Sequence, residues 1–188
     1  MNITFEYAGE LFSLCSAVFW ALAVVMMKKV GDKIHPVAIN LFKNIMGVVL
    51  ISMTLYIIGE PLLNPGFVER EDYLRLIISG IIGIGLADII FLYSLNIIGA
   101  GITALVDTVY SPFVILFAYF LLGEQLSVIQ FIGGGFIIGA ILFASAKLQH
   151  IPVDRNQLIY GILLNIIAIA MMAFAIVLIK PVLNKFQG

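Results

Sequence analysis

Residues 76–122 read LIISGIIGIGLADIIFLYSLNIIGAGITALVDTVYSPFVILFAYFLL. Two apolar runs, 76–98 and 102–122, each hold one charge, Asp88 in the first and Asp107 in the second. Between them lies Gly99-Ala100-Gly101, which predicts a tight turn. A bilayer core about 30 Å thick is crossed by roughly 20 apolar residues at about 1.5 Å rise each. Both runs have that length. They are too continuous for barrel strands, which alternate apolar and polar positions. Lipid offers no partner to an open backbone, so the stretch reads as two antiparallel membrane helices.

Working outward, four more runs meet the same standard: 11–27, 37–58 with Lys43 as its only charge, and the uncharged 126–146 and 158–179. The fold class is therefore all-α, a polytopic helical bundle with six transmembrane helices. Composition agrees. Of 188 residues 62% are hydrophobic and 11% charged, with a mean hydropathy of +1.14. Soluble domains run near 45–50% apolar and about 25% charged. So few polar residues cannot cover a water-facing surface, which argues against a soluble enzyme, a disordered chain or a nucleic-acid binder. Net charge is −1, which leaves no basic field for phosphate backbones.

Cys15 is the single cysteine, which excludes an intrachain disulfide, and His35 and His150 lie far apart in polar connectors. No metal or cofactor is expected. The connectors are short, the longest running over 59–75 with Pro61, Pro65 and a charged cluster from Glu69 to Asp72. None could hold a catalytic domain, so the chain reads as non-enzymatic. Glu6 and Glu10 precede helix 1 with no Lys or Arg before Lys28, unlike a signal peptide. Helix 1 is thus expected to stay, in a multi-pass protein of the cell membrane. Orientation is undetermined. Arg70, Arg75, Lys180 and Lys185 fall on the N-terminal face, face A, and Lys28, Lys29, Lys33, Lys147 and Arg155 on the opposite face B. That is no bias for the positive-inside rule.

Charges at membrane depth are functional suspects. Counting about 1.5 Å per residue, Lys43 and Asp107 lie about 9 and 8 Å from face B, and Asp88 about 15 Å. Trp20, Asn165, Tyr93 and Tyr110 fall in the same half. These seven residues (Trp20, Lys43, Asp88, Tyr93, Asp107, Tyr110 and Asn165) are the candidate substrate-binding set, lining a face-B cavity. The matched depths of Lys43 and Asp107 predict an ion pair. The alternatives are a structural pair, a Lys43 that snorkels to face B, and an Asn165 that serves as helix–helix glue. Asn40, Lys43, Asn44 and Gly47 share one helix face, as do Thr103, Asp107, Tyr110 and Ser111. Ser13/Ala17/Ala21, Ser79/Gly83/Ala87 and Gly135/Gly139 are small-residue rows that let backbones approach. Pro112 cannot bond back to Thr108, so a kink is expected one turn past Asp107.

Helix 6 looks like a second copy of helix 1, the alternative being a chance match of two apolar helices that end in Lys. Aligning 17–30 with 169–182 matches Ala21 with Ala173, Ala23 with Ala175, Val25 with Val177, Lys28 with Lys180 and Val30 with Val182. A five-helix unit, being odd, places its successor upside down, the inverted-repeat plan of many secondary transporters.

Tyr110-Ser-Pro112, the Gly123-Glu124-Gln-Leu-Ser127 turn and the run Gln130-Phe-Ile-Gly133-Gly134-Gly135-Phe-Ile-Ile-Gly139 resemble the end of an EamA-type module of the drug/metabolite transporter superfamily. Phe19-Trp20-Ala21 with Lys28 or Lys29 is similar to that module's first helix. The resemblance divides the chain into a module at 8–146, a linker at 147–157 and the first helix of a second module at 158–188. It implies a ten-helix secondary transporter of small metabolites or drugs, built from two inverted modules, with cytoplasmic termini. Its partners would be a small-molecule solute and the lipid bilayer, with a proton or other ion as coupling agent and a second copy or a missing half completing it. Nucleic acid is not among them. Members commonly carry Arg where Lys43 stands. The competing readings are an accessory or inactive membrane subunit and, on the two aspartates, an intramembrane aspartyl protease. That chemistry needs two carboxylates sharing a site, whereas Asp88 and Asp107 differ by about 7 Å in depth.

Overall fold

A computed structural model describes residues 8–61, 69–125, 127–147 and 154–186. Expectations that fall on Glu6, Pro65, Leu126 and His150 lie outside them. The described residues are all helical: α1 (Ala8–Gly31), α2 (Pro36–Ile58), α3 (Arg70–Ser79), a π-helical stretch (Gly80–Ala87), α4 (Asp88–Asp107), α5 (Tyr110–Leu122), α6 (Val128–Lys147) and α7 (Arg155–Phe186). Four stretches are long and apolar enough to cross a membrane, and Tyr110–Leu122 and Val128–Ala140 are shorter apolar helices.

The stretch Arg70–Asp107 has 38 residues. Straight, it would run about 57 Å, nearly two bilayer cores. Gly99 divides it, at φ +76° and ψ 163°, a region essentially closed to residues with a Cβ. Contacts with α7 show that the chain reverses there. Before Gly99, Ser79 meets Ala175 and Ser94 meets Gly161, an antiparallel order. After it, Asp107 meets Asn165, Phe117 meets Phe174 and Glu124 meets Lys180, a parallel order. The expected turn thus closes on Gly99, and the return crossing comprises the end of α4 plus α5. That crossing is interrupted at Thr108 and Val109, whose amides bond three residues back to Leu105 and Val106. The break thus falls directly after Asp107, before the expected kink, and Pro112 sits in the first turn of α5, where a helix needs no N–H from it.

Local chemistry sets the other ends. His35 Nδ1 accepts from the Val37 amide at the start of α2, with Pro36 in the first turn. Gly59 closes α2 at φ +83°. α7 starts at Arg155, earlier than expected, because the Asp154 carboxylate accepts from the Asn156 amide. α3 likewise reaches back to Arg70, its polar first turn tied by Asp72 to Lys185 at 2.8 Å.

α7 is the centre of the bundle. Ala168, Ala173, Val177 and Val182 on it are buried against α3, the π stretch, α4 and α5. The Ser79/Gly83/Ala87 row meets it: Ser79 Oγ donates to the Ala175 carbonyl at 2.9 Å, and a Cβ on Gly83 would collide with Ala175. The Gly135/Gly139 row and Ser13/Ala17/Ala21 are not used this way. Nothing lies within 4 Å of where those two glycines would carry a Cβ, and the α1 row is exposed.

This topology puts the α1–α2 and α2–α3 connectors on opposite sides. In a Cys15→Ala background, single cysteines at Lys33 and Glu60 should react with an impermeant maleimide from opposite sides of the membrane; same-side labelling would contradict a membrane crossing by α2. Gly99→Ala should lower stability by about 1–3 kcal/mol, read as the shift in thermal unfolding in detergent.

Candidate functional site

Lys43 on α2 forms an ion pair with Asp88 Oδ2 at the first turn of α4. The polar face of α2 makes the rest. Asn40 Nδ2 donates to the carbonyls of Ile84 at 3.0 Å and Gly85 at 3.2 Å, and Asn44 Nδ2 donates to Asn40 Oδ1 at 3.3 Å. These carbonyls belong to the π-helical stretch. Its i→i+5 bonding widens the turn and leaves carbonyls off the regular ladder, free for a side-chain donor. The stretch therefore does two things: it supplies acceptors to α2, and it rotates Asp88 toward Lys43. The side chain of Asp88 is 14% exposed and that of Lys43 38%, so the pair opens on the lysine side.

The expected pairing of Lys43 with Asp107 is corrected. Matched depth ignores which way a side chain points. Asp107 faces α7, where Asn165 Nδ2 donates to its Oδ1 at 3.0 Å. The two aspartates thus have separate partners, on α2 and α7. Asn165 is fully buried, and its Nδ2 also lies 3.5 Å from the Thr103 carbonyl.

The other expected residues are distributed. Tyr93 Oη lies 2.8 Å from His35 Nε2, with the rings edge to face. Tyr110 packs with Phe113 against the core around Phe91 and Leu92. Trp20, half exposed, tilts against Phe91 with ring centroids 6.2 Å apart. Three polar contacts therefore hold five of the seven residues, and two aromatic ones pack beside them. A groove of about 470 Å³ between α1 and α2 reaches this region, lined by Met26, Met27, Ile39, Phe42 and Lys43 among others. Larger grooves, on α6 and between α5 and α6, are apart from the buried charges.

Asn40, His35, Ser94 and Asn96 were missing from the expected set. Asn96 Nδ2 donates to the Gly31 carbonyl at 3.2 Å, and the backbone carbonyl of Asn96 accepts from Lys28 Nζ, which also binds Asp32. Asn40 could have been included, since it lies on the Lys43 face. His35 could not, because a connector residue carries no periodicity.

The sequence profile described as the EamA-like transporter family matches residues 7–146. The chain is 24% identical over 162 residues, 81% of its length, to an uncharacterized transporter of Methanothermobacter thermautotrophicus, and spans 47% of that relative. No solved structure matches it.

Removing one member of a buried pair strands the other charge. Lys43→Met should cost roughly 2 kcal/mol, because it strands the enclosed Asp88. Asp88→Asn should cost less, since Lys43 retains an outward path, and Lys43→Met/Asp88→Leu should recover most of the loss. Thermal unfolding of the purified variants reads all three.

Proposed function

Since the chain belongs to the EamA-like transporter family, a multi-pass membrane protein, we propose that it is a secondary carrier of small zwitterions with an apolar body, of the amino-acid class. The observation that carries this reading is the Lys43–Asp88 pair at the end of a methionine-lined groove. An ammonium and a carboxylate side by side are complementary to a zwitterion. Its carboxylate can take the place of Asp88 on Lys43, and its ammonium can take the place of Lys43 on Asp88. Every charge stays paired throughout, which matters where an unpaired one costs several kcal/mol. Met26, Met27 and Phe42 offer an adaptable apolar wall for the side chain of the solute.

The path is completed by a second five-helix unit in inverted orientation, which in liposomes of the purified chain is a second copy inserted the other way up. The chain spans about half the length of the curated relative it matches. Ala173, Val177 and Val182 of α7 are buried, whereas their sequence counterparts Ala21, Val25 and Val30 on α1 are exposed. If the repeat is structural, α1 packs into the second unit as α7 packs into the first.

Liposomes preloaded with unlabelled leucine or phenylalanine and containing the purified chain should accumulate the labelled amino acid by counterflow. Lys43→Met/Asp88→Leu, which keeps the packing but removes the charges, should abolish accumulation. Uptake no faster than in empty liposomes would refute carriage by the chain itself and favour the accessory-subunit reading. Uptake unaffected by the double variant would refute the pair as the solute site.

A further inference from the structure

Among the described residues the second carboxylate has no counter-charge. Asp107 is half-buried within the return crossing, and its described side-chain partner is the amide of Asn165. The charged and titratable groups on the elements around it are engaged elsewhere or lie apart. Lys43 holds Asp88, Lys28 holds Asp32, Lys180 holds Glu124, and Lys185 holds Asp72 and Glu69. Tyr93 is on His35, Arg155 and Tyr160 are exposed at the start of α7, and the half-buried Tyr110 phenol is one turn along.

Asn165 adds an independent observation. Its side chain is fully enclosed, its Nδ2 points to Asp107, and its Oδ1 has no hydrogen-bond partner. An ionised carboxylate can only accept, so it satisfies the amide N–H and leaves the amide oxygen bare. A carboxylic acid is complementary to both ends of a primary amide. Its carbonyl accepts from N–H while its O–H donates to the amide oxygen. An orphaned buried acceptor costs about 1–3 kcal/mol, and this cost is removed when Asp107 gains a proton and the amide turns both atoms toward it.

We propose that Asp107 and Asn165 form a proton-binding site in the membrane: Asp107 takes up a proton from the aqueous side, becomes a neutral acid, and closes a reciprocal two-bond pair with Asn165. The step is a protonation and its reversal. It stands independently of the zwitterion reading, because its test involves no transport.

Dicyclohexylcarbodiimide partitions into lipid and reacts with a carboxyl group that carries a proton, whose O–H adds across the carbodiimide. The purified chain in liposomes should be modified at Asp107 and not at Asp88, as mapped by peptide mass spectrometry. Modification should fall as the pH is raised and return when it is lowered. Infrared spectra should contain a protonated-carboxyl C=O band that Asp107→Asn removes. In Asn165→Leu the same band should move to higher frequency, because the carbonyl has lost its N–H donor. Modification at Asp88 in place of Asp107, labelling that does not respond to pH, or absence of the band would overturn the proposal. Protection by sodium at constant pH would overturn it in favour of a metal-cation site.

Discussion

A bilayer offers no water to a polar group, and it removes most of the hydrophobic drive between helices, since lipid tails are as apolar as leucine. Helices then associate through close backbone approach and through the few polar groups that must find one another. α7 is built on this constraint. Lys185 ties it to Glu69 and Asp72, Ser79 to the Ala175 carbonyl, Asn165 to Asp107 and Ser94 to the Gly161 carbonyl. These ties are spread along the helix from one face to the other. A slip by one turn would break all of them together, so α7 is held in a single register, with its alanines against the π stretch and α4.

The same constraint explains the contrast between α1 and α7. Their aligned side chains are similar, but α7 is enclosed and α1 lies at the edge, with Leu11, Phe12, Phe19 and Met26 more than half exposed. Identical chemistry in two environments means that burial here is decided by neighbours, not by the helix. α1 is tied to the bundle mainly at its face-B end, through Lys28 and Gly31 to Asn96, where a Cβ on Gly31 would collide with the asparagine amide. Val24 and Trp20 pack toward Phe91 further along, while residues 9–19 are exposed.

The helices and the reversal at Gly99 were legible because run length and glycine spacing are one-dimensional signals. Rise per residue is constant, and counting it set Lys43, Asp107 and Asn165 at similar distances from face B. What depth cannot give is direction around the axis. The ion pair therefore went to Asp88 rather than Asp107, although Asp88 lies deeper by the residue count. The π-helical stretch is the physical cause. Eight residues with i→i+5 bonding shift the angular phase of the turns that follow as far as Gly99, Asp88 among them, and a run such as Gly-Ile-Ile-Gly-Ile-Gly-Leu-Ala has no pattern that separates π from α turns.

Direction around the axis also separates the chemistry of the two aspartates. Asp88 is turned toward α2, where an ammonium compensates it, while Asp107 is turned toward α7, where only a neutral amide meets it. A compensated carboxylate can exchange its partner for another cation only when an anion arrives for Lys43 as well, which selects solutes that carry both charges. An uncompensated one gains most from the smallest cation, because a proton removes the charge rather than balancing it. On the proposed readings, solute and proton therefore occupy different carboxylates. Both carboxylates stand on α4, which reverses at Gly99 between them.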